Sequence, residues 1–399
     1  MNNPSDLNTK SPDSFIIHFA SWYPTQLKPY LGIFVKRHIK AVSPFRRSVV
    51  IHAYSDPEKD FSYRHQFENE VNENFTECFL CYGRPKTWLQ KLKRILFVNQ
   101  FYYRTTQLII QKKGKPSGFH LHVCWPLGLY IWPVILSWKL PVLITEHWTG
   151  YLPEDGRYSG FFTTFITRFL VRKAKAILVV SEKQKKAMIS HQLQGEYHLI
   201  DNVVDHAFEV KYPIKSRLDN HQIKIFHVST LMEEEKNISG LLIGFEAALK
   251  KEPNLSLTIA GFETNWDLLI KNNPAFKFFP VLYIGSLKAE QIAEEMQQAD
   301  AFLLTSWFEN QPVVCIEAWC SGLPLIAVQV GNLYLTMKLH NSITIKSQKP
   351  EDITQALLAF AEKKNQFDKK RIADEALAIY SSQIAGQKIE HLYGKYFKN

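Results

Sequence analysis

Short apolar runs punctuate this chain, spaced so that most gaps have room for a helix. They are FIIHFA (15–20), SVVIHAY (48–54), HLHVCW (120–125), PVLITEH (141–147) and AILVVS (176–181), then KIFHVST (224–230), SLTIAG (256–261), VLYIGS (281–286), AFLLTS (301–306), LPLIAV (323–328) and SITIK (342–346). Runs of this length that are apolar on both sides are expected in a parallel sheet covered by helices on both faces. The pattern breaks at the polar stretch KYPIKSRLDNHQ (211–222) and then restarts. The expectation is an α/β chain of two doubly wound Rossmann-like domains in series, facing each other across a cleft. A length of 399 residues with 46% hydrophobic residues can fill two such cores.

The formal charge of +10 is unevenly placed. Residues 1–220 hold 30 Lys and Arg against 18 Asp and Glu, whereas the remainder holds 18 against 20. A basic first half points to an anionic partner, and an anionic membrane surface is expected. No nucleic-acid-binding motif is present, so nucleic acid is not expected. The first residues, MNNPSDLNTKSPDS, have no apolar core and do not read as a signal peptide, which points to a cytoplasmic protein. The most apolar stretch, VCWPLGLYIWPVILSW (123–138), is short for a membrane span and is interrupted by Pro126 and Pro133. It reads as a buried strand, a turn and a helix. Cys78 and Cys81 form a single C-x-x-C, with no second pair and no clustered histidines to complete a zinc site, so the five cysteines read as reduced structural thiols.

The segment SWFENQPVVCIEAWCSGLPLIAV (306–328) is almost wholly apolar yet keeps two carboxylates, Glu309 and Glu317. Pro312 suits a first helical turn, with Asn310 or Gln311 as the N-cap. The run from Val313 to Cys320 is apolar all round, so the helix is buried; Gly322 and Pro324 end it before a core strand. Glu309 then lies in the loop before the helix and Glu317 inside it. A buried unpaired carboxylate is costly. Glu317 therefore meets either a structural partner or a ligand bearing hydroxyl groups. Other polar residues fall at strand ends, where open parallel sheets bind ligands. His147 closes the run at 141–147, Lys236 follows the run at 224–230, and Gly32 lies in the long loop after the first run. Each alone fits a core histidine, a solvated charge or a turn glycine.

Taken in order, SWYPTQLKPYLGIFVKRH, ITEHWTGYLP, VVSEKQKKAM, DNVVD (201–205), HVST…EKN and the E-x₇-E segment resemble the family 4 retaining glycosyltransferases (glycosyl transferases group 1) of GT-B fold. The resemblance implies an N-terminal, acceptor-binding domain over 1–210, a C-terminal, donor-binding domain over 222–380, and a last helix, 381–399, that returns to the first domain. It implies that Glu317 accepts hydrogen bonds from the donor's ribose, and that Glu309 and His147 reach the donor sugar. Lys236 would neutralise the leaving diphosphate, backbone amides around Asn310, Gln311, Pro312 and Val313 would cradle it, and Gly32 would let the first loop approach it. This chain departs from the family at two places. Thr230 stands where the family carries an Arg in a G-R-L-like turn, and GNLYL (331–335) lacks the usual Gly-Gly pair and acid.

The implied reaction is a metal-independent, hexosyltransferase-type transfer from a nucleotide-diphosphate sugar, a co-substrate, with no other cofactor. With no D-x-D element, no metal is expected. The expected acceptor is a glycan or lipid-linked glycan of surface-polysaccharide biosynthesis, met by a peripheral protein at the inner face of the membrane. On that side PKTWLQKLKRILFVNQFYYR (85–104) places Trp88, Leu89, Leu92, Ile95 and Leu96 at helical spacing, beside Lys86, Lys91, Lys93 and Arg94. RFLVRKAKA (168–176) adds further cations. Two other readings stand: a catalytically silent nucleotide-sugar-binding or membrane scaffold protein of the same fold, and a GT-B nucleotide-sugar epimerase.

Overall fold

Valine, isoleucine, leucine and phenylalanine fill the strands, and several strands are buried at every position. β1 (Phe15–Ala20), β4 (Phe75–Gly83), β5 (Gly118–His122) and β6 (Val142–Glu146) are of this kind. Such strands persist in water only under two layers of helix. The structure, a computed structural model, describes residues 14–209 and 222–397. The expected break at 211–222 falls outside the described residues except for Gln222, as does the polar N-terminal stretch up to residue 13. The described chain divides into two units, residues 14–201 with 382–397, and residues 202–209 with 222–381.

The first unit adds β2 (Arg47–Asp56), β3 (Arg64–Asn72), β7 (Ala174–Val179) and β8 (Tyr197–Leu199). The order across its sheet is β3-β4-β2-β1-β5-β6-β7-β8. Every pairing is parallel except β3 with β4. The strands are joined through α1 (Ile33–Val42), α2 (Trp88–Lys113), α3 (Gly128–Trp138), α4 (Phe161–Lys173) and α5 (Glu182–Ser190). The β3–β4 hairpin carries no clear signal in the sequence. β3 is a mostly exposed, polar edge strand, and β4 interrupts its apolar run with Glu77. Cys78 and Cys81 lie on β4, where residues three apart point to opposite faces, so they cannot share one ligand. All five cysteines are free and buried.

The second unit has six strands, β9 (Ile223–Ser229), β10 (Leu255–Gly261), β11 (Leu282–Tyr283), β12 (Ala301–Leu304), β13 (Leu325–Val328) and β14 (Ser342–Ile345). Their order is β11-β10-β9-β12-β13-β14, all parallel, which is the doubly wound order 3-2-1-4-5-6. Its helices are α6 (Glu233–Lys236), α7 (Ile238–Leu249), α8 (Glu263–Asn272), α9 (Ala289–Gln298), α10 (Val313–Cys320), α11 (Leu333–Thr336), α12 (Pro350–Lys363) and α13 (Lys369–Tyr380). The final helix, α14 (Ser382–Tyr396), packs in the first unit beside α1. Gly386 makes this approach possible, because a Cβ there would lie 2.0 Å from the Ala41 carbonyl oxygen.

Two buried polar groups fasten distant parts of the first unit. Histidines form the first. His18 on β1 meets His122 on β5 (Nδ1 to Nε2, 3.1 Å), while His120 bonds Thr145 on β6 and the Tyr393 hydroxyl of α14, both at 2.7 Å. Burial holds these imidazoles neutral, with the His18 pKa pushed down to about 3. The second is Glu77, which accepts from the Tyr23 hydroxyl at 2.6 Å and the Asn69 amide at 2.8 Å, and pairs with Lys36 at 2.7 Å. One carboxylate thus ties the β3–β4 hairpin to α1 and to the loop after β1. Breaking a buried, paired charge costs about 3–5 kcal/mol. Glu77→Ala is expected to destabilise the protein by about 3 kcal/mol. Urea unfolding measures this, and a loss below about 1 kcal/mol would show that Glu77 does not anchor the loop.

Candidate functional site

In a doubly wound sheet the chain leaves in opposite directions from the two central strands, and a crevice opens beyond their carboxyl ends. In the second unit those strands are β9 and β12. The turn after β9 is tight: Leu231 adopts a left-handed conformation with φ 59°, and a Cβ on Gly261 would lie 2.4 Å from its side chain. A non-glycine residue in that region costs roughly 1–2 kcal/mol. Strain of this kind is often retained where a backbone must present a group to a ligand. The turn leads into α6, whose last residue is Lys236.

Lys236 and Glu309 meet at this switch point. The Lys236 Nζ lies 2.6 Å from Glu309 Oε1, with side-chain exposures of only 14% and 15%. The Ser306 hydroxyl donates to the same carboxylate oxygen at 3.0 Å. Thr305 donates to the Lys236 carbonyl at 3.0 Å, and the Trp307 amide to the Glu235 carbonyl at 2.9 Å. The loops after β9 and β12 are thus laced together around one ion pair. Burial opposes the charge on Lys236, but the Glu309 carboxylate more than offsets it and raises the lysine pKa.

Beyond Glu309 the chain enters α10. Pro312, expected in the first helical turn, is instead the N-cap, with an extended ψ of 111°, and the helix begins at Val313. Asn310 and Gln311 therefore lie before the cap, and no side chain caps this end of the helix. The Cys315 amide already donates to the Pro312 carbonyl at 3.1 Å, which leaves the amides of Val313 and Val314 as the candidates for an acceptor such as a phosphate oxygen. Gln311 has a second task. Its side chain accepts from the Asn202 backbone amide at 2.6 Å, and its carbonyl accepts from the Asn202 side chain at 3.1 Å, which fixes the DNVVD segment. Glu317 is buried within α10. The helix ends as expected. Gly322 is left-handed at φ 74°, and the amides of Leu323 and Gly322 bond back to Ala318 and Trp319.

Gly331 is a residue that the sequence reading left without a role. It is left-handed at φ 60°, and a Cβ there would lie 2.2 Å from the Asn310 carbonyl and 2.9 Å from that of Glu309. The Asn332 amide donates to the same Asn310 carbonyl at 3.0 Å. The loop after β13 therefore sets the backbone that carries Glu309. The signal lay in a glycine following a core strand, which sequence alone cannot separate from an ordinary turn. Thr230 supplies no charge to the turn after β9, and its hydroxyl is buried without a hydrogen-bond partner.

In the first unit the central strands are β1 and β5. Val123, directly after β5, is left-handed at φ 63°, an outlier for a β-branched residue. His147 directly follows β6 and is buried. Its ring lies against Phe34 (centroids 4.4 Å apart) and His38 (5.2 Å), both on α1. Burial, and then His38, hold the His147 pKa well below the ordinary histidine value, so the imidazole is neutral. Gly32 is the left-handed N-cap of α1. The backbone it admits is that of Trp22, whose carbonyl carbon a Cβ would meet at 2.4 Å. Packing within the loop itself accounts for the glycine.

On α2, Trp88, Leu89, Leu92 and Leu96 are exposed, with Trp88 at 68% and Leu96 at 72%, while Ile95 packs on the core. Lys86, Lys91 and Lys93 are exposed. Arg94 departs from the expected grouping: it is half-buried beside the Tyr82 phenol, with its Nε buried and without a hydrogen-bond partner. Among the described residues no helix is long and apolar enough to cross a membrane. Among the described residues, His18, His120 and His122 are the group close enough together to hold a metal, a cluster that the sequence did not reveal. Five of its six nitrogens are engaged with one another and with Ser48, Thr145 and Tyr393, His122 Nδ1 is buried without a hydrogen-bond partner, and no carboxylate is among them to balance a dication.

Comparison with known proteins agrees with this architecture. Residues 46–208 match Glycosyltransferase Family 4, and residues 222–363 match Glycosyl transferases group 1. A glycogen synthase of Mycobacterium tuberculosis is 24% identical over 241 residues, 58% of this chain and 56% of its own, so the chain spans little more than half of that relative. The Bacillus subtilis protein named "Putative teichuronic acid biosynthesis glycosyltransferase TuaC" is 21% identical over 406 residues, 96% of this chain and 97% of its own. A sucrose-phosphate synthase structure from Thermosynechococcus elongatus has a TM-score of 0.72 at 15% identity, covering 96% of this chain and 98% of that one. Anabaena HepE in complex with UDP-glucose has a TM-score of 0.67 at 14% identity, covering 95% and 99%. With one family region on each unit, in order, over two Rossmann-like sheets, the chain belongs to the family 4, group 1 glycosyltransferases of GT-B fold.

Proposed function

We propose that the chain transfers a sugar from a nucleotide-diphosphate donor to a glycan or lipid-linked acceptor, with retention at the anomeric carbon and without a metal. The observation that carries this reading is the Lys236–Glu309 pair at the β9/β12 switch point, beside the uncapped N-terminus of α10. A cation, a carboxylate and the first amides of a helix suit a ligand with a diphosphate at one end and sugar hydroxyls at the other. The HepE complex with UDP-glucose supports the donor class.

In the reaction the bond between the anomeric carbon and the diphosphate oxygen breaks. The acceptor hydroxyl oxygen bonds to that carbon, and its proton passes to the departing phosphate. Lys236 and the amides of Val313 and Val314 would stabilise the negative charge as it develops, as preorganised donors do in a water-poor site. Glu309 would hold a donor hydroxyl while keeping Lys236 in place, and Glu317 would hold the ribose. His147, neutral, would donate one hydrogen bond to the sugar without placing a positive charge near the developing oxocarbenium. With Thr230 uncharged, Lys236 is the cation this turn offers to phosphate. An acceptor presented at the inner face of a membrane is supported by the exposed apolar and basic face of α2.

A panel of nucleotide sugars, scored for free nucleotide on adding acceptor, tests the reaction, and the anomeric configuration of the product tests retention. Lys236→Ala is expected to weaken nucleoside diphosphate binding by about 10- to 100-fold, the worth of one charged hydrogen bond. Equal affinity in calorimetric titrations would make Lys236 merely structural. Glu309→Gln is expected to lower transfer at least about 100-fold. Because Glu309 is ion-paired rather than free in its loop, this change also costs stability, about 2 kcal/mol. Near-normal turnover would remove the carboxylate from the chemistry. Transfer is expected to survive excess EDTA, and a complete loss reversed by magnesium or manganese would overturn the metal-free mechanism.

A further inference from the structure

The first two turns of α4 carry three exposed phenylalanines. Phe161, Phe162 and Phe165 are 77%, 70% and 59% exposed. Phe161 stacks on Phe165 with centroids 6.0 Å apart and meets Phe162 edge-on at 5.7 Å, so the three form one apolar knob. Phe161, Phe165 and Phe169 line a groove together with Arg168, Arg172 and Lys173. Soluble surfaces seldom leave three adjacent aromatics in water without a partner.

The surroundings of this knob say what the partner is. Helix α2 packs on α3, and α3 packs on α4, so the three lie side by side on one face of the first sheet. Each follows a strand end, so the N-terminal turns of α2 and α4 lie toward the carboxyl edge of the sheet, the edge that also carries His147. The exposed stripe Trp88, Leu92 and Leu96 of α2 and Trp132 and Leu136 of α3 extend the apolar surface. The charge around it has one sign. From Cys78 to Thr145 the sequence has ten Lys and Arg and no Asp or Glu, and from Gly156 to Ser181 it has five and none. Aromatic side chains set among flexible cations, on three helices that carry no acid, match the headgroup–acyl boundary of an anionic bilayer.

We propose that this face docks on an anionic membrane, with Phe161, Phe162 and Phe165 entering the lipid and Lys86, Lys91, Lys93, Arg172 and Lys173 lying against lipid phosphates. The proposal deepens the reading of a membrane-presented acceptor and rests on it. It adds that α4 inserts while the cations attract. The two contributions differ in their response to salt. Screening weakens the cations and leaves buried aromatic area intact.

The test is co-sedimentation of the full chain with phosphatidylcholine vesicles, with and without an equal part of phosphatidylglycerol, at low and high salt. The protein is expected to prefer the anionic vesicles. Phe161→Ser combined with Phe162→Ser and Phe165→Ser is expected to weaken that binding about tenfold or more, with residual salt-sensitive attraction and an unchanged melting temperature. Lys86→Gln with Lys91→Gln and Lys93→Gln is expected to weaken binding at low salt and to change little at high salt. Should the phenylalanine variant fail to fold, Arg172→Glu with Lys173→Glu takes its place, with loss of anionic preference expected. Equal binding by wild type and variants overturns the proposal. So does a self-associating protein without vesicle affinity whose association the phenylalanine changes abolish. Vesicle binding needs no donor, so its failure is distinct from a failure of the nucleotide-sugar panel.

Discussion

A parallel strand buried on both faces can place polar chemistry cheaply only at its ends. This constraint organises both units. β12 is buried throughout, and the first polar side chains after it are Thr305, Ser306 and then Glu309. β9 runs out at Ser229, and Lys236 follows within one short turn. β6 ends at Glu146, and His147 comes next. The helices that return across the sheet present their N-termini at the same edge, so unsatisfied amides and charged side chains collect there without further arrangement. The left-handed residues Leu231 and Val123 sit directly beyond central strands, so the cost of an unusual backbone is also borne at these edges.

Polar groups that do enter the core are joined to partners from far along the chain. Glu77 gathers Tyr23, Lys36 and Asn69, and His120 bonds Tyr393, which is 273 residues away. A buried carboxylate or imidazole without such partners would be costly, so each specifies one arrangement of the elements that supply them. The C-terminal helix is held in the first unit in this way. Tyr393 reaches the histidine network, Arg46 pairs with Glu390, and Gly386 permits the close approach to α1.

The apolar stripe of α2 shows that an amphipathic pattern need not face a core. Trp88, Leu89, Leu92 and Leu96 have the spacing of a core-facing stripe, yet they face solvent. The core is met mainly by residues from Val98 onward, including Phe101, Tyr102 and Ile109. Arg94 looks like one more surface cation and is half-buried beside Tyr82. Periodicity identifies a helix, but which stripe is covered depends on what packs beside it.

Much of this protein was legible in its sequence, because burial on two faces writes itself as short apolar runs. Those runs named most strands, the two Rossmann-like sheets and the residue types at the edges. The edge strand β3 and the Glu77-bearing β4 escaped, since a polar edge and an interrupted run lack that signature. The cap of α10 was misplaced by one residue, because Pro312 suits either position and only its ψ decides. What sequence could not supply was which ends meet. Lys236 and Glu309 are 73 residues apart and lie 2.6 Å from one another because β9 is paired with β12. The three histidines and Gly331 acquired partners in the same way, through neighbours set by strand order. That order follows from the direction of the crossovers across the sheet, a property of the whole unit that no local stretch of residues encodes.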